Sequence, residues 1–367
     1  MIKTSLKPCA AALALSLPAL AVQAQSSVQL YGMIDIGLGS FQRPEEQVVG
    51  GGIINDWKRT AKLDRNNEQT SYWGLRGKEV LSEDLSAVFL LESFFRPDTG
   101  ELGRFNSDQM FTREAYAGLA SKQFGELRLG RHTTHLFTTS FLYNPFGSGF
   151  GWSPTIRHIF SGNEGKVRGD SGWSNSIHYL SPKIAGFNLS VMAAAGEKDT
   201  GNGGLGVVEA QSFMLSYNAG AFSTTLTMQD VKVGAASTQG RSQVTGMLAA
   251  SYDFGLLKLS AQYTEIADKP TGFEDRIVQV GVAVPLGRGK VLASYGQDDT
   301  DSTDDTTLKT LSLGYNLPLS KRTDITVVAM RETQEEGVAL APNANSLRNY
   351  GRFISGNSYG FGLRHRF

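Results

Sequence analysis

The chain has 367 residues and balances 35 basic against 35 acidic side chains, so it offers no polybasic footprint for nucleic acid. Mean hydropathy is −0.20, and no segment beyond the amino-terminal region reads as a spanning helix, which needs about 20 apolar residues. The one cysteine, Cys9, excludes internal disulfides and thiolate metal centres.

Residues 1–24 read as an export signal. Lys3 and Lys7 form a positive start, Ala10 to Leu20 a short apolar run, and Val22-Gln23-Ala24 a small-residue cleavage site. Cys9 precedes the apolar run, where a lipid-modified cysteine would follow it. The mature chain is expected from Gln25, as a single domain over 25–367 with a small acidic excess once both lysines are removed.

Alternating segments then recur along the chain. The expected strands are 27–41, 67–80, 85–96, 109–120, 125–131, 173–181, 186–196, 208–218, 221–231, 242–253, 256–266, 276–285, 289–297, 307–317, 322–332 and 358–367. In the first, Val28, Leu30, Gly32, Ile34 and Ile36 share one face, and Gln29, Tyr31, Met33 and Asp35 the other. Trp73 and Leu75 point out where Tyr72 and Arg76 point in. Leu127 and Leu129 point out where Glu126 and Arg128 point in. Val88 and Leu90 share a face with Glu92 and break the pattern.

Short connections such as Leu81-Ser82-Glu83-Asp84 and Asp253-Phe254-Gly255 carry turn residues. They alternate with long segments, of which 132–172 is the longest. The last nine residues put Tyr359, Phe361, Leu363, His365 and Phe367 on one face, with Arg364 and Arg366 on the other. Sixteen alternating strands, short turns on one rim and long loops on the other predict an all-β fold. It is a closed antiparallel transmembrane β-barrel with a polar lumen. A secreted soluble sandwich would not keep that alternation through eight hairpins.

A set of motifs in order along the whole mature chain resembles the beta-proteobacterial general porins, relatives of the neisserial porins. They are Ser26-Ser27-Val28-Gln29-Leu30-Tyr31-Gly32-Met33-Ile34-Asp35, Trp73-Gly74-Leu75-Arg76-Gly77-Lys78-Glu79, Leu91-Glu92-Ser93 and Arg113-Glu114-Ala115-Tyr116-Ala117-Gly118-Leu119. Leu129-Gly130-Arg131, Asn144-Pro145-Phe146-Gly147, Asn175-Ser176-Ile177-His178-Tyr179, Tyr252-Asp253-Phe254-Gly255 and Gly362-Leu363-Arg364-His365-Arg366-Phe367 follow. The resemblance implies a homotrimer in the outer membrane of a Gram-negative bacterium, passing small hydrophilic solutes and ions without a cofactor. Its partners are membrane lipid, its own copies and the barrel-assembly machinery, which would read Tyr359, Phe361, Leu363 and Phe367 as an assembly signal.

By the same resemblance, 132–172 is the third extracellular loop, folded into the lumen. It carries enough apolar side chains to dock on a wall, among them Phe137, Phe141, Phe146, Phe150, Trp152 and Ile156. Asn144, Pro145, Phe146, Gly147, Arg157, Glu164, Lys166, Arg168 and Asp170 are its expected constriction residues. Wall arginines facing that loop favour anions in the family. Arg76 and Arg128 point inward by alternation, and Arg113 and Arg131 rest on the motif, Arg131 reaching the lumen only if its strand ends before it, since it shares the parity of Leu127 and Leu129. Asp35, Glu92 and Glu126 are the inward acids.

Two positions depart from the family. Ser71-Tyr72 stands where many members have Ser-Arg, and His178 where many have a permanent cation. A lumen imidazole titrates near 6.5, so anion preference is expected to be weak to moderate and to rise in acid. A substrate-specific channel is the competing reading. A rim hydrolase would need a Ser-His-acid set. His132, His135 and His158 could be imagined around a metal, but no carboxylate or cysteine stands at supporting spacing, so neither metal nor catalytic residues are assigned. A plugged transporter would need a far longer chain.

Overall fold

The computed structural model describes residues 27–42, 45–49, 52–56, 59–65, 68–160, 166–195, 207–233, 242–270, 272–301, 306–336 and 353–367. The expected export segment 1–24 and Glu164 lie outside them. Among the described residues the strands are β1 (Ser27–Gln42), β2 (Glu45–Val49), β3 (Gly52–Asp56), β4 (Arg59–Arg65), β5 (Tyr72–Val80), β6 (Leu85–Phe94), β7 (Glu114–Ser121) and β8 (Gly125–Thr133). Two helices follow, α1 (His135–Leu142) and α2 (Pro154–Phe160). Then come β9 (Gly172–Leu180), β10 (Phe187–Ala195), β11 (Val207–Ala219), β12 (Phe222–Val233), β13 (Ser242–Asp253), β14 (Lys258–Asp268) and β15 (Phe273–Leu286). The last are β16 (Gly289–Asp301), β17 (Thr306–Pro318), β18 (Thr323–Glu336) and β19 (Phe353–Arg366).

The hairpin β2–β3 stands apart, and the other strands form one antiparallel wall. Residues 27–33 of β1 pair with β5 and residues 36–42 with β4, so β4 and β5 are two runs of a single wall strand. The wall therefore has sixteen strands, as the alternation predicts. It closes where β1 pairs with β19, from Met33 opposite Arg366 to Ser40 opposite Tyr359. Closure leaves no open edge.

The second strand differs from expectation. It begins at Arg59, inside the stretch read as loop 42–66, and it is interrupted before Tyr72. The cause is Asp35. Its carboxylate accepts the backbone N–H groups of Glu68 (3.1 Å) and Gln69 (2.7 Å), and its own N–H donates to Ser71 Oγ (2.9 Å). These bonds fold residues 68–71 inward, and Glu68 lies over Gly362 of β19, where a Cβ would meet its carboxyl oxygen at 2.5 Å.

Alternation separates the faces. Val28, Leu30, Leu38, Leu127, Leu129, Leu313 and Val327 are exposed on the outside, while Ser, Thr and Gln side chains line much of the buried inner face. Tyr359, Phe361, Leu363 and Phe367 are on the outer face, and Phe367 exchanges two backbone hydrogen bonds with Gly32. The wall is uneven in height. β6 to β10 have 8–10 residues each, and β11 to β19 have 11–14.

The packed core lies between the inner wall and the segment that joins β8 to β9. Phe146 and Trp152 of that segment pack with Phe41, Leu292, Val328 and Met330 of the wall. Leu136, Ile159 and Val167 pack with Met247, Ile266 and Ile277. Each large aliphatic buried in this way stabilises docking by about 1.5–3 kcal/mol.

Candidate pore and its charges

The β8–β9 segment is built to sit on the wall. Thr134 caps α1, its side chain accepting from Phe137 N–H. Trp152 lies on Gly360 of β19, where a Cβ would stand 2.4 Å from its ring. Gly281 of β15 and Gly296 of β16 give the same clearance to Pro145 and Pro154, each at 2.5 Å, and Gly314 of β17 lies under Phe146 at 3.0 Å. Four inner-wall glycines thus form the bed of residues 145–154. Asn144 accepts from Phe146 N–H (3.0 Å) and donates to Ser153 and to Gln279 of β15. Gln279 also accepts from Thr155 N–H (2.8 Å) and Oγ1 (2.7 Å). Gly147 has φ +57° and open space around it, so it serves the turn rather than the bed.

The expected loop cations are spent on the wall. Arg157 grips Glu332 of β18 with two parallel bonds, Nε–Oε1 2.7 Å and Nη2–Oε2 2.9 Å. Arg168 holds Asp268 of β14 likewise, at 2.7 and 2.8 Å. Lys166 donates to Asp275 (2.8 Å), Asp298 and Thr300. Asp170 pairs with Arg104 at 2.7 Å. The sequence reading offered Arg157, Lys166 and Arg168 as lumen charge. Their geometry is that of clamps, because each meets a buried carboxylate. Asp268, Asp275, Asp298 and Glu332 were missed there, although each is an acid on the inward parity of a strand near the long-loop rim.

The wall from β5 to β8 carries a row of arginines, each placed over a tyrosine. Arg76 is 4.6 Å from the ring of Tyr31, Arg113 is 4.2 Å from Tyr72, and Arg128 is 4.7 Å from Tyr116. Arg76 also donates to Gln29 Oε1 through Nε (3.0 Å) and Nη2 (2.8 Å). Arg113 meets Glu92, and Arg128 meets Glu126, each through Nε at 2.7 Å. Glu92 is buried and accepts the Tyr31 hydroxyl as well. Asp35 is buried and holds backbone, so it is a structural anchor instead of an acid facing water. Arg131 stands outside the row, donating to the Thr112 carbonyl (2.5 Å) and to Ser174 Oγ (2.8 Å).

His178 faces inward, but the loop covers it. Its Nε2 is 3.1 Å from Nε2 of His135 in α1 and 2.7 Å from Ser190 Oγ. His135 Nδ1 meets Ser212 Oγ at 2.6 Å, and His132 Nδ1 meets Ser176 Oγ at 2.8 Å. These Ser–His pairs are buried between loop and wall, and no carboxylate bonds to them among the described residues. His158 lies elsewhere, bonded to Thr310 at 2.9 Å, so it does not join His132 and His135. Burial corrects the expected acid response, since an imidazole closed off from water does not add charge to the lumen.

The pH effect moves to loop docking. Burial, with the neighbouring His178 second, pulls His135 down to about 3, and burial keeps His158 well below its ordinary value. A depressed histidine contributes stability that is complete above 6.5 and is lost as pH falls toward the folded value. At pH 5 the docked His135 is expected to cost about 2 kcal/mol relative to pH 7. The midpoint of heat unfolding in detergent should therefore drop between pH 7 and pH 5, and drop less in His135→Gln. Equal drops would remove His135 from the effect.

The fold and lumen define a β-barrel channel of the outer-membrane type. Residues 10–337 match the family model described as Gram-negative porin. An outer membrane porin protein of Bordetella pertussis is 28% identical over 95% of this chain and 96% of its own length. Outer membrane porin protein 32 of Delftia acidovorans is 31% identical, covering 83% of each chain. The solved anion-selective porin from Comamonas acidovorans superposes with a TM-score of 0.72 at 26% identity, over 94% of this chain and 100% of that one. The chain belongs to the Gram-negative porin family and is a barrel of the outer membrane.

Proposed function

We propose that the protein is a passive diffusion channel for ions and small hydrophilic solutes, weakly to moderately anion-preferring, and that it performs no chemistry. The observation that carries this reading is the row Arg76, Arg113 and Arg128, facing a loop whose own cations are neutralised on the far wall. In a narrow channel of low dielectric, fixed charge of one sign sets the local ion population. Glu92 and Glu126 offset part of that charge, hence the modest preference. The anion-selective name of the Comamonas relative points the same way. Export through residues 1–24 and recognition of the closing strand by the assembly machinery belong to the same reading.

The uneven wall supports a homotrimer. Its short side includes β6 to β8, where Leu119, Leu127 and Leu129 stand exposed at outward positions, suited to a neighbouring copy. The outward tyrosines Tyr217, Tyr252, Tyr263, Tyr295 and Tyr359 belong to the tall side, where lipid interfaces favour such rings.

The test is reversal potential in a potassium chloride gradient across a planar bilayer. A chloride preference that falls in Arg76→Gln and Arg128→Gln is expected. A potassium preference in the wild type would overturn the reading. Conductance that saturates with one solute would instead indicate a substrate-specific channel.

A further inference from the structure

We infer that Tyr31, Tyr72 and Tyr116 are selectivity-setting residues, positioning the row arginines so that their charge stays offered to the lumen although a carboxylate stands beside two of them. The inference rests on the anion-preferring reading above.

The contrast between two kinds of arginine carries it. Arg157 and Arg168 each close on their carboxylate through Nε and Nη2 together. That fork geometry is the strong, self-neutralising mode. Arg113 and Arg128 have carboxylates equally near, at 2.7 Å, yet each touches through Nε alone. Among the described residues, their η nitrogens have no hydrogen-bond partner. Both side chains are about one-fifth exposed.

The tyrosines account for the difference. A guanidinium held over a ring face cannot bring its η edge round to a carboxylate without leaving the ring. Tyr116 is itself fixed, with the His132 ring stacked on it at 5.0 Å and 25°. At Arg113 the Tyr31 hydroxyl also donates to Glu92 Oε1, the oxygen a two-pronged pair would engage second, while Arg113 Nε takes Oε2. Tyr31 also meets Tyr72 edge to face at 6.2 Å, which ties the two supports together.

Removing a ring should let its arginine swing into a two-pronged pair, and the lumen should lose that charge with no residue of the row changed. The experiment compares reversal potentials of the whole channel for wild type, Arg128→Gln, Tyr116→Phe, Tyr116→Leu, Glu126→Gln and the double variant Tyr116→Leu/Glu126→Gln. Tyr116→Phe keeps the ring and should match the wild type. Tyr116→Leu should lower the chloride-to-potassium permeability ratio toward that of Arg128→Gln. The double variant should equal Glu126→Gln, because no carboxylate remains for Arg128 to close on. A merely structural role for Tyr116 would lower the ratio equally with and without Glu126, and that result would overturn the inference. So would a wild-type ratio in Tyr116→Leu when Arg128→Gln lowers it. If Arg128→Gln itself has no effect, the anion reading of the row fails and takes the inference with it. Heat-unfolding midpoints of the same variants, unchanged from wild type, confirm that each reading comes from a folded channel.

Discussion

Lys166→Met is expected to release the β8–β9 segment from the wall. Lys166 stands between Asp275 and Asp298, whose side chains have no exposure, and it is the cation both are bonded to. Among the described residues Asp275 Oδ2 and Asp298 Oδ1 have no hydrogen-bond partner, so Lys166 carries much of the site. Removing one side of a buried charge cluster costs about 3–5 kcal/mol, because the remaining charges are left dry and unpaired. Undocking hydrates both carboxylates and relieves that cost. We expect a raised and noisier single-channel conductance, new protease cleavage within the segment, and a lower heat-unfolding midpoint. Asp275→Asn/Asp298→Asn added to Lys166→Met should recover most of the loss. Wild-type conductance and midpoint in Lys166→Met would refute the clamp.

Gly360→Leu is expected to disturb the same segment by sterics alone. Even a Cβ at this position would stand 2.4 Å from the Trp152 ring, which is itself buried against Phe41 at 5.6 Å between centroids. Neither ring has room to retreat. Overpacking of this kind costs about 1–3 kcal/mol, more where backbone must move. The bed glycines are needed for clearance, since none of Gly281, Gly296, Gly314 and Gly360 has a positive φ. Trp152→Ala in the same chain should restore the unfolding midpoint toward that of Trp152→Ala alone. A Gly360→Leu channel with wild-type conductance and stability would show that the bed is not tight.

Much of the barrel is legible in the residues because a wall between lipid and water imposes period 2 strand by strand. Val28 to Ile36, Leu127 and Leu129, and Tyr359 to Phe367 each declare their outer face without reference to any neighbour. The interrupted second strand was not legible. Its cause, Asp35 binding the backbone of Glu68 and Gln69, depends on a side chain more than thirty residues away. The helices α1 and α2 were hidden for a similar reason. Both are short, at 8 and 7 residues, and held by the wall rather than by propensity.

The charges divide in the same way. Inward direction at Arg76 and Arg128 follows from local alternation. Whether a cation is offered to water or clamped depends on partners remote in sequence, as with Arg157 and Glu332, 175 residues apart. Tyr31 and Tyr72 are readable as inward residues and Tyr116 only as part of a motif, and their pairing with arginines needs the cross-strand register. His178 shows the limit most directly. Its direction was readable, while its cover, His135 of α1, was not.

The order of the chain sets when the β8–β9 segment can dock. The docked segment precedes the wall it rests on: Thr139 bonds to Thr227, 88 residues later, Lys166 to Asp298, 132 later, and Trp152 lies on Gly360 of the closing strand. During folding Phe146 and Trp152 therefore have no seat until the last strands arrive. Contacts so distant in sequence form slowly, since the chain must close long loops before they reward it. The pairing of β1 with β19 and the docking of Trp152 share one strand, so both wait for β19. A chain arrested before then is an open sheet with bare edges and an unseated aromatic loop, the state in which such a protein most needs a chaperone.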